Sequence, residues 1–146
     1  MKVKIKKLDE KAIIPTYSKF GDAAMDLTSI AQYYDEYGNI VYQTGISLEI
    51  PQGYVGLIFQ RSSVCKYATM LTNAVGVIDS GYRGEILFKY KPTPYYHNKP
   101  DLRFVYEVGD KVGQIMIIPY PQIEFEETEE LSLSERGASG YGSTGN

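Results

Sequence analysis

The chain contains no tryptophan, one cysteine (Cys65) and one histidine (His97). A lone cysteine excludes an internal disulfide and suits a reducing compartment. One His and one Cys cannot assemble a zinc site without other ligand types. Ser–His or Cys–His nucleophilic catalysis would have to recruit His97 from a proline-rich loop, which argues against that chemistry. No apolar run approaches the roughly 18 residues needed to span a bilayer, and no signal-peptide pattern opens the chain. The sequence therefore reads as soluble and cytoplasmic. The net charge is −3, so no basic field favours nucleic acid or an anionic membrane. Lys2, Lys4, Lys6 and Lys7 cluster locally, but they mostly alternate with Val3 and Ile5, as the solvated face of a strand does.

What remains is a chain of 146 residues, 43% hydrophobic and 23% charged, which fits a single domain (1–146) with a sizeable core. Fourteen tyrosines tilt the composition toward strands. Without a basic patch they read as packing residues with surface hydroxyls, not as a nucleic-acid platform.

Short strand signals recur between turn residues. Residues 1–8 alternate apolar and charged. Residues 21–29 begin small and turn-like, then become apolar. Residues 33–42 form a Tyr-rich hairpin turning at Tyr37, Gly38 and Asn39. Ile46, Leu48 and Ile50 alternate with polar residues before a Pro51–Gln52–Gly53 turn, and 54–59 is another strand. Residues 64–70 fit a short helix, with Ser62 or Ser63 as its N-cap. Residues 91–99 read as a loop, 104–108 and 114–118 as strands, and 124–130 as a solvated acidic stretch. Many short strands with almost no helix predict an all-β sandwich or barrel, and specifically a jelly-roll-like β-barrel without repeats.

The stretch from Asn73 to Ile86 predicts a β-hairpin. Val75, Val77 and Ile78 run into the Asp79–Ser80–Gly81 turn, and Gly84 to Tyr90 resumes a strand. Backbone groups of such a hairpin can read a flat polar ring, and Asp79 at its rim can take a proton from water or anchor a hydroxyl. The plain alternative is an ordinary turn. The Gly-rich tail superficially matches a phosphate loop, but Ser143 stands where the lysine is expected. Its backbone N–H groups, helped by Arg136, Ser143 and Thr144, can still wrap phosphates. Arg61, Ser62 and Ser63 pair a cationic fork with hydroxyls, a second phosphate-binding candidate. Asp26 suits an arginine partner, a hydrated metal or a backbone cap.

Taken together, these stretches resemble the five motifs of the trimeric dUTP pyrophosphatase (dUTPase) family, in order. Ala24 to Leu27 resembles the first, Arg61 to Ser63 the second, Asn73 to Glu85 the third, Gly109 to Gln114 the fourth and Arg136 to Gly145 the fifth. The resemblance covers essentially the whole chain, and the third and fifth motifs are specific.

The resemblance implies a homotrimer with sites at subunit junctions. Each flexible Gly-rich arm, residues 135–146, would reach a neighbouring subunit. It also implies hydrolysis of dUTP to dUMP and pyrophosphate. The uracil edge would meet the backbone of Gly76, Val77 and Ile78 and the Asn73 side chain, with Tyr82 under the deoxyribose. Asp79 would hold the 3′-hydroxyl and orient or deprotonate the water attacking the α-phosphorus in line. Arg61, Ser62, Ser63 and Gln114 would grip the α and β phosphates. Arg136, Gly142, Ser143 and Thr144 would take the γ phosphate, with Tyr141 stacked on uracil. Mg²⁺ would ride on the triphosphate with no direct protein ligand, touched by Asp26 through water.

The chain departs from the family pattern at Ser63 (often Gly), Tyr141 (often Phe), Ala138 and Met25, and residues 92–103 are longer than a minimal loop. Two alternatives stand beside this reading. One is a dCTP deaminase-like enzyme, which needs a differently equipped hairpin. The other is a nucleotide-gated regulatory binding protein, with the loop from Pro92 to Arg103 as its partner surface.

Overall fold

A computed structural model describes residues 1–93 and 105–138. Among the described residues ten strands run in chain order: β1 (Lys4–Lys7), β2 (Met25–Thr28), β3 (Ala31–Tyr34), β4 (Ile40–Gln43), β5 (Ile46–Glu49), β6 (Tyr54–Phe59), β7 (Thr69–Leu71), β8 (Val75–Ile78), β9 (Leu87–Pro92) and β10 (Lys111–Pro119). One four-stranded sheet has the order β2-β10-β6-β8, a second has β3-β4-β9-β7, and β1 pairs with β5. Every pairing is antiparallel. The arrangement is a jelly-roll-like all-β fold.

The core lies where the sheets face each other. Leu27, Ile58, Val112 and Ile115 come from the first sheet, and Ile40, Tyr42, Leu71, Phe88 and Tyr90 from the second. Period-two alternation turns these side chains inward, and burying each large apolar group contributes about 1.5–3 kcal/mol. Tyr42 and Tyr90 are fully buried, so their hydroxyls must find partners. Tyr42 donates to the Tyr106 carbonyl at 2.9 Å and Tyr90 to the Val112 carbonyl at 2.7 Å. Burial pushes both phenols well above the ordinary range.

Several expectations are met. The 33–42 hairpin forms as β3 and β4, its turn tied by Asp35, which accepts from the Asn39 and Tyr37 backbone N–H groups. Tyr54 N–H closes the Pro51 turn, and the acidic stretch at 124–130 is exposed.

Five expectations are corrected. The segment 64–70 is not a helix: a 3-10 turn at Ser62–Lys66 ends at Tyr67, and Thr69–Leu71 is already strand. Arg61, not Ser62 or Ser63, occupies the N-cap position, without a side-chain capping bond. Lys91 and Pro92, the first two residues of the expected loop, instead finish β9, where they pair with Met70 and Thr69. Residues 105–108 form a bend and turn instead of a strand, with the Tyr106 carbonyl taken by the Tyr42 hydroxyl.

The fifth correction concerns the central hairpin. β8 and β9 do not pair with each other. β8 pairs with β6 in the first sheet, while β9 pairs with β4 and β7 in the second. Residues 79–86 carry the chain between sheets, anchored by Ser47 Oγ on the Arg83 carbonyl (2.7 Å) and by Ile86 N–H on the Ile46 carbonyl (2.8 Å).

Candidate functional site

The first sheet aligns three of the five motif segments in one row, beside the end of β6 that leads into a fourth. Asp26 on β2 lies opposite Gln114 on β10, Gln114 opposite Phe59 on β6, and Phe59 opposite Val75 on β8. Antiparallel partners present their side chains on the same face. Motifs far apart in the chain therefore converge at one end of the sheet, where β6 runs into the Arg61–Ser63 turn.

At that end Arg61 Nε donates to Asp26 Oδ1 at 2.7 Å and Nη2 to Oδ2 at 3.3 Å. A planar guanidinium suits this two-point grip on a carboxylate. Lys111 Nζ adds a second cation, 3.0 Å from Asp26 Oδ2. Partial burial works to raise the Asp26 carboxyl, but Lys111 and Arg61 outweigh it and hold the group below the usual carboxylate range. Arg61 Nη1 also donates to Ser63 Oγ at 3.4 Å, and Gln114 Nε2 donates to the Gln60 carbonyl at 3.3 Å. An open cavity of about 480 Å³ lies here, walled by Asp26, Arg61, Lys111 and Gln114 with Ser18 and Asp22. Its pre-oriented guanidinium, ammonium and amide donors can bind oxyanions.

Lys111 was not among the residues singled out from the sequence. It follows a Gly–Asp turn and looks like an ordinary surface lysine. A register shift between Lys111 and Gly113 places it opposite Thr28, two residues from Asp26 on the same strand. No residue pattern announces that bulge.

The other predicted residues divide into three groups. Ser62 is exposed on the 3-10 turn. Gly76, Val77 and Ile78 lie on β8 at the sheet edge with Asn73 just before them. A Cβ at Gly76 would stand 2.4 Å from Ile58 Cγ1 and 3.2 Å from Asn73 Nδ2, so only glycine lets β8 lie this close to β6. Asp79 and Tyr82 form the turn beyond β8, where Tyr82 N–H donates to the Asp79 carbonyl at 3.0 Å. The Tyr82 ring folds over Gly84, its hydroxyl donating to the Glu85 carbonyl at 3.1 Å. Glu85 in turn accepts from Gly45 N–H at 2.7 Å.

The chain does not bring Asp79 and Arg61 together. β8 runs from Val75, opposite Phe59, to Ile78, opposite Gly56. Arg61 follows one end of β6 and Asp79 follows β8 at the other. At the rise of a strand the separation is roughly 20 Å. Arg136 lies in the exposed stretch 131–138. Tyr141, Gly142, Ser143 and Thr144, and nearly all of the 92–103 loop, lie outside the described residues.

Among the described residues no three His, Cys, Asp or Glu side chains converge to hold a metal ion. No helix among them is long and apolar enough to cross a membrane.

Comparison with known proteins points one way. The dUTPase family profile matches residues 10–145. A deoxyuridine 5′-triphosphate nucleotidohydrolase of Clostridioides difficile is 40% identical over 145 residues, covering 98% of this chain and 97% of that protein. One from Nautilia profundicola is 40% identical over 147 residues, covering 99% of each. Among solved structures, Staphylococcus bacteriophage 80alpha dUTPase with dUPNHPP superposes with a TM-score of 0.82 at 27% identity, covering 99% of both chains. A variant dUTPase from phage phi11 of S. aureus, described with a structural Mg(II) ion, gives a TM-score of 0.73 at 26% identity. It covers 89% of this chain and 98% of that one.

Proposed function

The chain belongs to the dUTPase family, and on that premise we propose that it hydrolyses dUTP to dUMP and pyrophosphate in sites shared between the copies of a homotrimer. The observation that carries this reading is the separation just described. The anion-binding end of the sheet and the Asp79–Tyr82 turn stand roughly 20 Å apart at strand rise, too far for one nucleotide to engage both productively. A second copy supplies the missing half. The exposed Ile123, Phe125, Leu131 and Leu133 support assembly, because a lone copy leaves all four in water.

In this reading Arg61, Ser62, Ser63 and Gln114 hold the α and β phosphates, with Lys111 adding charge beside them. Asp26 aims the guanidinium. The neighbour's β8 edge offers the Gly76, Val77 and Ile78 backbone and the Asn73 amide to uracil, while its Tyr82 packs against the deoxyribose. Asp79 orients or deprotonates the water that attacks the α-phosphorus in line, and pyrophosphate departs. A third copy contributes Arg136, Tyr141, Gly142, Ser143 and Thr144 over the γ phosphate and base.

Mg²⁺ fits as a group carried by the triphosphate, where it would neutralise developing charge. The donor set supports that arrangement, since both Asp26 oxygens are engaged by Arg61 and Lys111.

The dUPNHPP-bound phage enzyme supports dUTP as the ligand. The deciding experiment compares pyrophosphate release from dUTP, dTTP, dCTP and UTP under identical conditions, with ammonia release from dCTP measured alongside. Turnover confined to dUTP is expected. Ammonia from dCTP would move the assignment to a deaminase.

A further inference from the structure

Glu85 holds the Asp79–Tyr82 turn with both its side chain and its backbone. The carboxylate accepts from Gly45 N–H at 2.7 Å and from Gln43 Nε2 at 3.2 Å, at the junction of β4 and β5. Thr44 Oγ1 on the Ile86 carbonyl (2.7 Å) and Ile86 N–H on the Ile46 carbonyl (2.8 Å) fasten the next residue to the same junction, where Thr44 and Ile86 are buried. The Glu85 backbone carbonyl meanwhile accepts from the Tyr82 hydroxyl at 3.1 Å. That bond folds the ring back over Gly84, where a Cβ would stand 2.3 Å from the hydroxyl oxygen and 2.5 Å from Cζ. Gly84 is not at positive φ, so the position needs the missing side chain, not a special backbone. Arg83 braces the loop, its Nη1 donating to the Ser80 and Tyr82 carbonyls at 2.6 and 2.9 Å. With its hydroxyl end seated on Gly84, Tyr82 keeps 44% of its surface exposed.

We infer that Gly84 and Glu85 are positioning residues for substrate selection: they seat the Tyr82 ring where a deoxyribose packs against it and a ribose 2′-hydroxyl does not fit. The inference rests on the dUTP-hydrolysing reading and on the contact of Tyr82 with the sugar in it. A tyrosine ring turns about two side-chain torsions, and a ring free to swing aside cannot exclude one extra oxygen. Glu85 removes that freedom without touching the substrate. Its carboxylate ties the residue to the β4–β5 junction, the tie fixes its carbonyl, and the carbonyl fixes the ring.

The test measures the KM for dUTP and the Ki of UTP competing with it, together with thermal unfolding. The proteins compared are the wild type, Tyr82→Ala, Gly84→Ala, Glu85→Ala and Glu85→Gln. A pocket that selects by shape rejects an added hydroxyl by about a hundredfold. Gly84→Ala and Glu85→Ala should each lower the ratio of Ki for UTP to KM for dUTP by about tenfold or more. Gly84→Ala should leave Tm within about 2 °C, because the atoms it displaces are the free end of one exposed side chain. Glu85→Gln should keep the ratio within about twofold of the wild type, since its amide oxygen still accepts from Gly45 N–H and the Gln43 amide can turn its oxygen to the new donor. An unchanged ratio in Gly84→Ala or in a folded Glu85→Ala would overturn the inference, as would a Glu85→Gln variant as unselective as Glu85→Ala. Should Glu85→Ala fail to fold, Gly84→Ala decides alone. A wild type without preference for dUTP, or a Tyr82→Ala variant that keeps the preference, would remove the sugar reading and this inference together. A selective wild type and an unselective Tyr82→Ala beside a fully selective Gly84→Ala would remove this inference alone.

Discussion

Arg61 Nε and Asp26 Oδ1 are 2.7 Å apart, joining the turn after β6 to β2, with β10 lying between the two strands. The pair is neither deeply buried nor free in water, with side chains 31% and 21% exposed. Screening limits such a pair to about 1 kcal/mol of stability. Its larger effect is geometric, because it fixes a guanidinium that would otherwise sample many rotamers. Asp26→Asn should therefore cost little in urea unfolding while lowering kcat/KM for dUTP by about tenfold or more, the scale of losing a charge-assisted contact. Equal and small effects on both measurements would mean that Asp26 does not orient the grip.

Asp79 tests the chemistry separately from the fold. Its side chain is exposed and makes no hydrogen bond or ion pair among the described residues, so Asp79→Asn should leave Tm within about 2 °C, as surface substitutions do. Removing a general base or water-orienting carboxylate should lower kcat by about 10²–10⁴-fold. Near-normal turnover in this variant would remove Asp79 from the reaction.

Much of the fold was legible because strand alternation and turn chemistry are local signals. The Asp35–Asn39 turn and the Ile46, Leu48 and Ile50 pattern fall where the residues put them. The central hairpin was misread because pairing partners are not local: an apolar run, a turn and a second apolar run look the same whether the strands pair or part. Here Ser47 and Ile46 of β5 anchor residues 83–86, and β9 beyond them pairs with β4 and β7 of the second sheet. The helix at 64–70 was misread because Thr69 and Met70 are claimed by β9. The motif segments were legible one by one, but not the roughly 20 Å that part Asp79 from Arg61 at strand rise, nor the bulge that brings Lys111 to Asp26.

Asp35 predicts an acid-sensitive hairpin. Asn39, whose amide donates to its carboxylate at 3.0 Å, is the main cause holding the Asp35 carboxyl at about 2, below its ordinary 3.8, with Lys89 3.2 Å away. A carboxyl depressed on folding contributes stability that is present above its unfolded value and is lost as pH falls through the folded one. Asp35→Asn should flatten the pH dependence of unfolding between 3.8 and about 2. An unchanged slope in that window would show that the tie is not formed in solution.

Gly113 sits on β10 next to Gln114, and a Cβ there would stand 1.9 Å from Phe88 Cε1 and 2.3 Å from its Cζ. Phe88 is fully buried between the sheets and has no free direction to retreat. Gly113→Ala should therefore destabilise the protein by about 1–3 kcal/mol in urea unfolding, the usual cost of overpacking a core. Gln114 is the adjacent residue, so dUTP affinity should fall as well. A variant as stable as the wild type would mean that the two sheets are packed less closely than the structure has them.

The shared-site reading makes the strongest demand. If each nucleotide is gripped by one copy and met by the Asp79 turn of another, Asp79→Asn and Arg61→Ala proteins should each be nearly inactive as homo-oligomers. In the Asp79→Asn chain the grip is intact, and in the Arg61→Ala chain the turn is intact. Co-refolding the two in equal amounts forms mixed assemblies, and some junctions then join an intact grip to an intact turn. Activity should reappear at a substantial fraction of the wild-type rate, whereas simply mixing folded homo-oligomers should restore it only as fast as subunits exchange. Solution mass should be three times the chain mass of 16.4 kDa. A monomeric mass, or co-refolded mixtures that stay inactive while assembling normally, would place both halves of the site in one copy and contradict the geometry of β6 and β8.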